Sequence, residues 1–424
     1  MNHPPRVALF ADCFHEVNGA AHSCRQLVQY AADHHFPFLS VHSGPRTGLS
    51  VEGSVLKLEL KRGCATFAVD TDFGCDPLLG RYAKTVAKVL EDFQPDLVHV
   101  ISPGDFSGLG AYLGHRLGVP IVGSYHTHLH QYAASRMRRS AAFLPSWLRE
   151  PLAHFAEKAS LRGVTLFYRI PRLLLTPTPD IGQWLEPATG RPCHVMGRGV
   201  DTARFSPAWR DVHDGVLRLG YVGRLTAEKN VRFLARLEQA LLARGRTNFR
   251  LVIVGEGSER AWLAEHLQRA ELRGVLRGEA LSRAYANLDL FVFPSRTDAF
   301  GNVVQEALAS GVPAVVTAEG GPRFVIDDGV TGFAAATDEE FIARVLALAD
   351  DAQLRQRMAA AAREATAHRT WDDVMASVYG SYREVCEWAE AEAAGRIRAQ
   401  PLGEFAPQHA NSLEYATSRT KPAA

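Results

Sequence analysis

Short runs of β-branched and aromatic residues recur along this chain, each followed by a longer stretch rich in Ala, Leu and Arg. That alternation belongs to parallel sheets covered by helices, and it predicts an α/β fold. Strands are expected at 7–11, 38–42, 55–60, 96–101, 120–125 and 173–176. After a polar break a second series is expected at 217–222, 251–254, 290–293, 313–317 and 332–335. Between the series, Gly197, Arg198 and Gly199, followed by Phe205, Ser206 and Pro207, interrupt any regular element and mark a hinge. The expected organisation is one domain over 1–200, a second over 201–372, a helical 373–398 packing back towards the first, and a loose tail over 399–424.

At 424 residues with 46% hydrophobic and 22% charged content, the chain is too long for one ordinary core, which supports two domains. A formal charge of +1 offers no global field for nucleic acid, so none is expected as a partner. Cys13, Cys24, Cys64, Cys75, Cys193 and Cys386 are scattered without C-x-x-C spacing, which argues against zinc, iron–sulfur clusters and a disulfide framework. With no apolar leader and no run of membrane-spanning length, a cytoplasmic protein is expected.

In open α/β sheets ligands sit at the carboxyl ends of strands, where helix N-termini offer free N–H groups to phosphate. Three such places stand out. After the first strand, Asn18, Gly19, Ala20 and Ala21 lead into a helix expected from near Ser23. The glycine there lets backbone approach a pyrophosphate, although a glycine at a strand-to-helix turn is also common for structural reasons. After the first strand of the second series, Gly223, Arg224, Glu228 and Lys229 open another expected helix, and the two basic side chains could converge on a diphosphate or remain solvated surface charges. The third is the run from Pro294 to Pro313, with Asp298 in the turn, Phe300, Gly301 and Asn302 at the helix start and Glu306 inside the helix. Carboxylates beside a phosphate-binding terminus suit the hydroxyls of a sugar and a ribose.

On these residues the chain resembles the retaining GT-B glycosyltransferases of family 4, whose signature is two acidic residues separated by seven, here Asp298 and Glu306. The likeness extends to Gly255 and Gly257, to Gly320, Gly321 and Pro322, and to Asp328, Gly329 and Gly332. In the first half it is thinner, covering Val17, Asn18 and Gly19, Tyr125, His126 and Thr127, and Gly199, Val200, Asp201 and Phe205. The resemblance implies two Rossmann-like domains facing across a cleft, and a hexosyltransferase that takes a UDP- or GDP-sugar donor and a lipid or glycan acceptor. It implies that Arg224 and Lys229 hold the diphosphate, Glu306 the ribose, Asp298 the transferred sugar and Gly19 a phosphate oxygen, with His126 on the reacting face. No metal or other cofactor is expected. Asp298 stands where many relatives have Glu, one methylene longer, which leaves open which sugar hydroxyl it reads.

Competing patterns bear on these expectations. Asp70, Thr71 and Asp72 spell a D-x-D, which other glycosyltransferases use to hold a metal, but the triplet is expected about once by chance and is read here as a loop. His126, His128 and His130 alternate in a metal-ligand manner without an acidic or thiol partner, so His126 alone is expected to act. Between 136 and 172 eight basic residues, Arg149, Lys158 and Arg162 among them, are interleaved with Trp147, Phe155 and Phe167. That stretch suits either an anionic membrane surface or a helix pair packed on the sheet. The same architecture could also serve an epimerase, a phosphorylase or a non-catalytic sugar-nucleotide sensor. A pyridoxal phosphorylase needs a Schiff-base lysine, and the second half offers only Lys229 before the tail.

Overall fold

Strands buried on both faces must be apolar along their length, and β1 (Val7–Ala11) is buried at every residue. In the computed structural model, which describes residues 3–16, 18–70, 73–126 and 145–395, the first half continues with α1 (Gly19–Asp33), β2 (Phe38–Ser43), β3 (Gly48–Glu52), β4 (Val55–Leu60), β5 (Phe67–Asp70) and β6 (Phe73–Cys75). It then runs through α2 (Ala83–Phe93), β7 (Leu97–Val100), α3 (Asp105–Arg116), β8 (Ile121–Ser124), α4 (Ser146–Tyr168), β9 (Leu173–Thr176), α5 (Pro179–Thr189) and β10 (Cys193–Val195). The second half comprises β11 (Leu217–Val222), α6 (Phe233–Ala243), β12 (Phe249–Val254), α7 (Arg260–His266), β13 (Ala270–Leu272), α8 (Gly278–Ala286) and β14 (Leu290–Phe293). It ends with α9 (Asn302–Ala309), β15 (Ala314–Thr317), β16 (Gly332–Ala335), α10 (Asp338–Asp350), α11 (Ala352–Ala367) and α12 (Trp371–Ala393).

Two sheets result. The first has the order β10-β9-β8-β7-β1-β2-β4-β3, parallel except for the antiparallel edge strand β3, and the second is fully parallel with the order β13-β12-β11-β14-β15-β16. Among the parallel strands of each, sequence order reverses at one place, between β1 and β7 and between β11 and β14. Those reversals leave crevices at the strands' carboxyl ends. The crevice in the first sheet is partly plugged by Asp12, at the end of β1. Its carboxylate accepts from the Phe106 and Ser107 amides at the start of α3 and from the hydroxyls of Ser102 and Ser107. Burial outweighs these bonds and raises its pKa to about 7.

Several local expectations need correction. Helix α1 begins at Gly19, not near Ser23, because Asn18 accepts from the Ala21 amide at 2.9 Å and so caps it four residues earlier. The stretch at Lys229 is a single 3-10 turn over Ala227–Lys229, ended by Asn230 in the left-handed region, and the helix proper starts at Phe233. Asp70 is no loop residue: it ends β5, which pairs antiparallel with β6, while Thr71 and Asp72 lie outside the described residues. Strands β3, β5, β6, β10 and β13 were not expected. β3 is exposed at all five residues, and β10 and β13 have three residues each, too little for periodicity to register. The expected tail over 399–424 lies outside the described residues. Among those that are described, no helix is long and apolar enough to cross a membrane.

The chain crosses between the halves twice. After β10 it passes through Gly199 and Val200 into the second half, and after α11 it returns, so that Met375, Val378, Tyr379 and Tyr382 of α12 share one apolar cluster with Val7 and Leu9 of β1 and with Leu97 of β7. The crossings are stitched where they meet. The Val200 amide donates to Arg369 O at 2.9 Å, and the Arg363 guanidinium donates to the carbonyls of Thr202, Phe205 and Ala309. A Cβ on Gly199 would overlap the Trp371 backbone, whereas one on Gly197 would meet nothing within 4 Å. Gly199→Ala should therefore lower the denaturation midpoint by an equivalent of about 1–3 kcal/mol through overpacking, and Gly197→Ala should leave it nearly unchanged. Equal midpoints for the two variants in urea would remove the close approach from the account of the hinge.

Candidate active site

Two helix N-termini come close together. The first residue of α1 is Gly19 and the first of α9 is Asn302, and a Cβ placed on Gly19 would lie 3.3 Å from Asn302 Nδ2. Each terminus presents unpaired backbone N–H groups and a partial positive charge, so the space between them favours an anion. The turn into α9 is held by glycine. Gly301 has φ 97°, which side-chain-bearing residues rarely adopt, and its α-carbon packs against Pro322. The Gly321 amide donates to Asp298 O at 2.7 Å, which locks the segment bearing Phe300 to the next strand's loop.

Charged side chains gather around this point. Lys229 Nζ lies 2.6 Å from Asp298 Oδ1, and both side chains are mostly buried. The other oxygen, Asp298 Oδ2, is buried with no hydrogen-bond partner, so a ligand hydroxyl would fill an outstanding valence. Arg224 lies 3.7 Å from Glu228 and remains substantially exposed. One turn into α9, Glu306 Oε2 accepts from the Tyr285 hydroxyl at 2.7 Å. Burial raises the Glu306 pKa to about 7 against the opposing effects of Tyr285 and Arg204. The structure thus brings Gly19, Lys229, Asp298, Asn302 and Glu306 into one region, with Arg224 at its margin.

His126 follows β8 and is 8% exposed. Arg198 donates to its Nδ1 at 2.8 Å. An arginine has only donors, so Nδ1 must be the acceptor and the ring proton must sit on Nε2, which is buried and unpartnered. Burial first, then the nearby Arg198 and His99, hold the His126 pKa well below its ordinary value. His126 is therefore a neutral ring offering one free N–H. Arg198 is itself held by the carbonyls of Met196 and Gly197, and its own carbonyl accepts from Gln305 of α9 at 2.7 Å.

Arg198, Tyr285 and Gln305 were missed as site residues. Arg198 read as part of a glycine-broken linker, and the available signal was its placement between two glycines, where an arginine has no neighbouring side chains to cover it. Tyr285 carried no signal because it lies in an unremarkable helix. His128, His130 and the basic residues at 136–144 lie outside the described residues. Among the described residues, the grouping of potential metal ligands is His15, His42 and Glu59, and it includes none of Asp298, Glu306 and His126. The six cysteines are free thiols.

The Glu306 environment has a measurable consequence. Its folded pKa is raised from 4.5 to about 7, so the neutral acid is what the fold accommodates. That contribution is fully present below pH 4.5 and is lost as pH rises through 7. Glu306→Gln cannot ionise, and between pH 5 and 8 it should gain stability relative to the parent chain by up to about 3 kcal/mol. Parallel pH series of thermal melts test this; a constant difference across the range would mean that Glu306 titrates normally.

Comparison with known proteins fits this geometry. The family described as Glycosyltransferase Family 4 matches residues 17–204, and Glycosyl transferases group 1 matches residues 217–351. The chain is 31% identical over 395 residues to a GDP-mannose-dependent alpha-mannosyltransferase of Corynebacterium glutamicum, covering 90% of this chain and 89% of that protein. It is 34% identical over 305 residues to the protein of the same name from Mycolicibacterium smegmatis, covering 70% and 76%. Among solved structures, sucrose-phosphate synthase from Thermosynechococcus elongatus superposes with a TM-score of 0.66 at 17% identity over 90% of this chain and 99% of that one, a likeness of fold. A glycosyltransferase involved in lipopolysaccharide biosynthesis gives 0.62 at 15%, over 88% and 98%. With two parallel-sheet domains, a cleft lined by opposed helix N-termini and relatives matching along most of its length, the chain is a GT-B glycosyltransferase and belongs to glycosyltransferase family 4.

Proposed function

We propose that the chain transfers mannose from GDP-mannose to a hydroxyl of a lipid or glycan acceptor, with retention of configuration and without a metal at the diphosphate. The observation that carries the donor assignment is the identity, along most of both chains, with two GDP-mannose-dependent alpha-mannosyltransferases. The site supports it: opposed helix N-termini and Lys229 supply positive potential where a diphosphate would lie, the task a divalent ion performs elsewhere.

In the proposed step the acceptor oxygen bonds to the anomeric carbon on the face the diphosphate leaves. The bond from that carbon to the diphosphate oxygen breaks, and the acceptor proton passes to the departing diphosphate. No protein nucleophile is used. Lys229 and the amides of Phe300, Gly301 and Asn302 take up the leaving charge, with Arg224 and the Gly19 amide assisting. Asp298 Oδ2 accepts from a sugar hydroxyl and Glu306 from the ribose. Because its proton is on Nε2, His126 serves as a hydrogen-bond donor on the reacting face and not as a base. Binding the donor asks Lys229 to share itself between Asp298 and phosphate, which couples sugar recognition to diphosphate recognition.

A lipid acceptor is favoured by α4. Trp147, Leu152, Phe155 and Leu166 are exposed on it, and Lys158 and Arg162 share that helical face. An epimerase, a phosphorylase or a sensor would give no glycoside from this donor and an added hydroxyl acceptor.

The donor assignment requires that GDP-mannose raise the melting temperature more than any UDP-sugar and that NMR of the product show an α-mannoside. GDP affinity by calorimetry should be the same with magnesium and with chelator. Lys229→Ala should cost turnover about 10²–10³-fold, as loss of one charge-stabilising donor does. Glu306→Ala should weaken GDP binding by about 1–3 kcal/mol, while His126→Ala should lower turnover with GDP affinity nearly kept. A preference for UDP-sugars would overturn the mannosyl reading, and full turnover in the His126 variant would remove that residue from the reacting face.

Membrane engagement is tested separately. The chain should cosediment with vesicles containing anionic lipid at low salt and release as ionic strength rises, and Phe155→Ser should weaken the association. Equal recovery on neutral and anionic vesicles would favour a soluble glycan acceptor.

A further inference from the structure

At the carboxyl edge of the first sheet, three residues from three segments come together. His42 near the end of β2 and Glu59 near the end of β4 are register partners on adjacent parallel strands. His15 reaches them from the loop after β1, placing its Nε2 3.7 Å from Glu59 Oε1. One ligand atom from each of the three lies within 4.8 Å of the others.

The orientation of His42 is the telling feature. Its Nδ1 lies 3.1 Å from the Ser43 carbonyl, which can only accept, so the ring proton is on Nδ1 and the lone pair is on Nε2. The residue is 1% exposed, yet that Nε2 has no hydrogen-bond partner. A buried lone pair left unsatisfied costs free energy unless something occupies it. The Phe14 ring stacks on the imidazole with centroids 3.9 Å apart and planes 4° apart, which fixes its direction. A backbone carbonyl on one nitrogen and a free lone pair on the other is the arrangement that orients metal-ligating histidines. Burial lowers the His42 pKa to about 4, in keeping with a neutral ring.

The other two groups complete a donor set. Glu59 sits against Gly44, where a Cβ would overlap its carboxyl group, so the carboxylate is confined. The nearby Lys57 ammonium is 2.5 Å from Glu52 and is engaged there. His15 and Glu59 are 54% and 34% exposed in their side chains, which leaves an approach from solvent.

We propose that His15, His42 and Glu59 form a binding site for a divalent transition cation of the zinc class. Two imidazoles and one carboxylate on three segments match the three-ligand set of an open zinc site, with a fourth position for water or an acceptor oxygen. The ligand atoms, within 4.8 Å of one another, are somewhat further apart than around a bound ion, and rotation of the largely exposed His15 side chain would close the set. The ion ties the loop after β1, which leads into Asn18 and Gly19, to β2 and β4. Nothing in this ligand set depends on the identity of the donor.

The test uses the full chain, treated with chelator, desalted and titrated with cobalt(II) as a zinc surrogate. The expected result is a visible absorption band that saturates at one equivalent and is displaced by zinc. His15→Ala and Glu59→Gln, at partly exposed positions, should each weaken cobalt affinity by more than about tenfold, the scale on which even outer-shell changes act. His42→Gln should abolish the band, with circular dichroism as the check that the buried position still folds. Parent-chain binding no tighter than that of the His15→Ala, Glu59→Gln double variant would overturn the proposal. So would affinity unchanged in both single variants, which would assign the metal to thiols such as the exposed Cys64.

Discussion

A buried arginine keeps its charge only where fixed dipoles replace the water it has lost, and Arg198 sits at such a place. It is 5% exposed, and burial lowers its pKa to about 10, still far enough above neutrality for the guanidinium to remain protonated. The carbonyls of Met196 and Gly197 and the ring nitrogen of His126 receive its N–H groups, and Gln305 takes its carbonyl. One residue thus joins the linker, the strand end of the first domain and the helix of the second. The His126 tautomer, the linker path and the seat of α9 all follow from it. Replacing it by an apolar residue would free three acceptors at once in a region with little water to satisfy them.

The charged groups around the cleft leave part of their hydrogen-bonding capacity unused. Lys229 and Asp298 neutralise each other, while one Asp298 oxygen and the free N–H of His126 are left without partners inside the protein. Glu306 is kept half protonated near neutrality by desolvation. Such arrangements cost stability in the free protein, and sites that recognise polar ligands accept that cost because the unpaired groups discriminate strongly against a ligand that cannot pair them.

Much of the architecture was legible in the sequence because parallel strands buried on both faces read as uninterrupted apolar runs, as at 7–11 and 290–293. The edge strand β3 was not, since its exposed Leu49 and Val51 follow no inward pattern, and the three-residue strands were too short. The start of α1 was misplaced because Asn18 as a cap gives way to a run of small residues with no obvious first turn. Among the candidate site residues, the glycines and the acidic pair were singled out by their spacing together with the family resemblance it carries. Arg198 did not, because its importance comes from contacts with residues 72 positions before it and 107 after it, a relation no local pattern carries. The pairing of Glu306 with Tyr285 was hidden for the same reason.

The return of α12 to the first sheet has a consequence for how the molecule is made. The cluster around β1 is built from Cys24, Leu27, Val28 and Ala31 of α1 and closed by Met375, Val378, Tyr379, Tyr382, Val385 and Cys386, so part of that face of the N-terminal sheet stays uncovered until α12 has been synthesised. On a ribosome, the second domain can bury its own core while the first still waits, with an apolar surface exposed for the many seconds needed to translate the intervening residues. The domain translated first is the one completed last, and during that interval part of its apolar core stays open to other contacts.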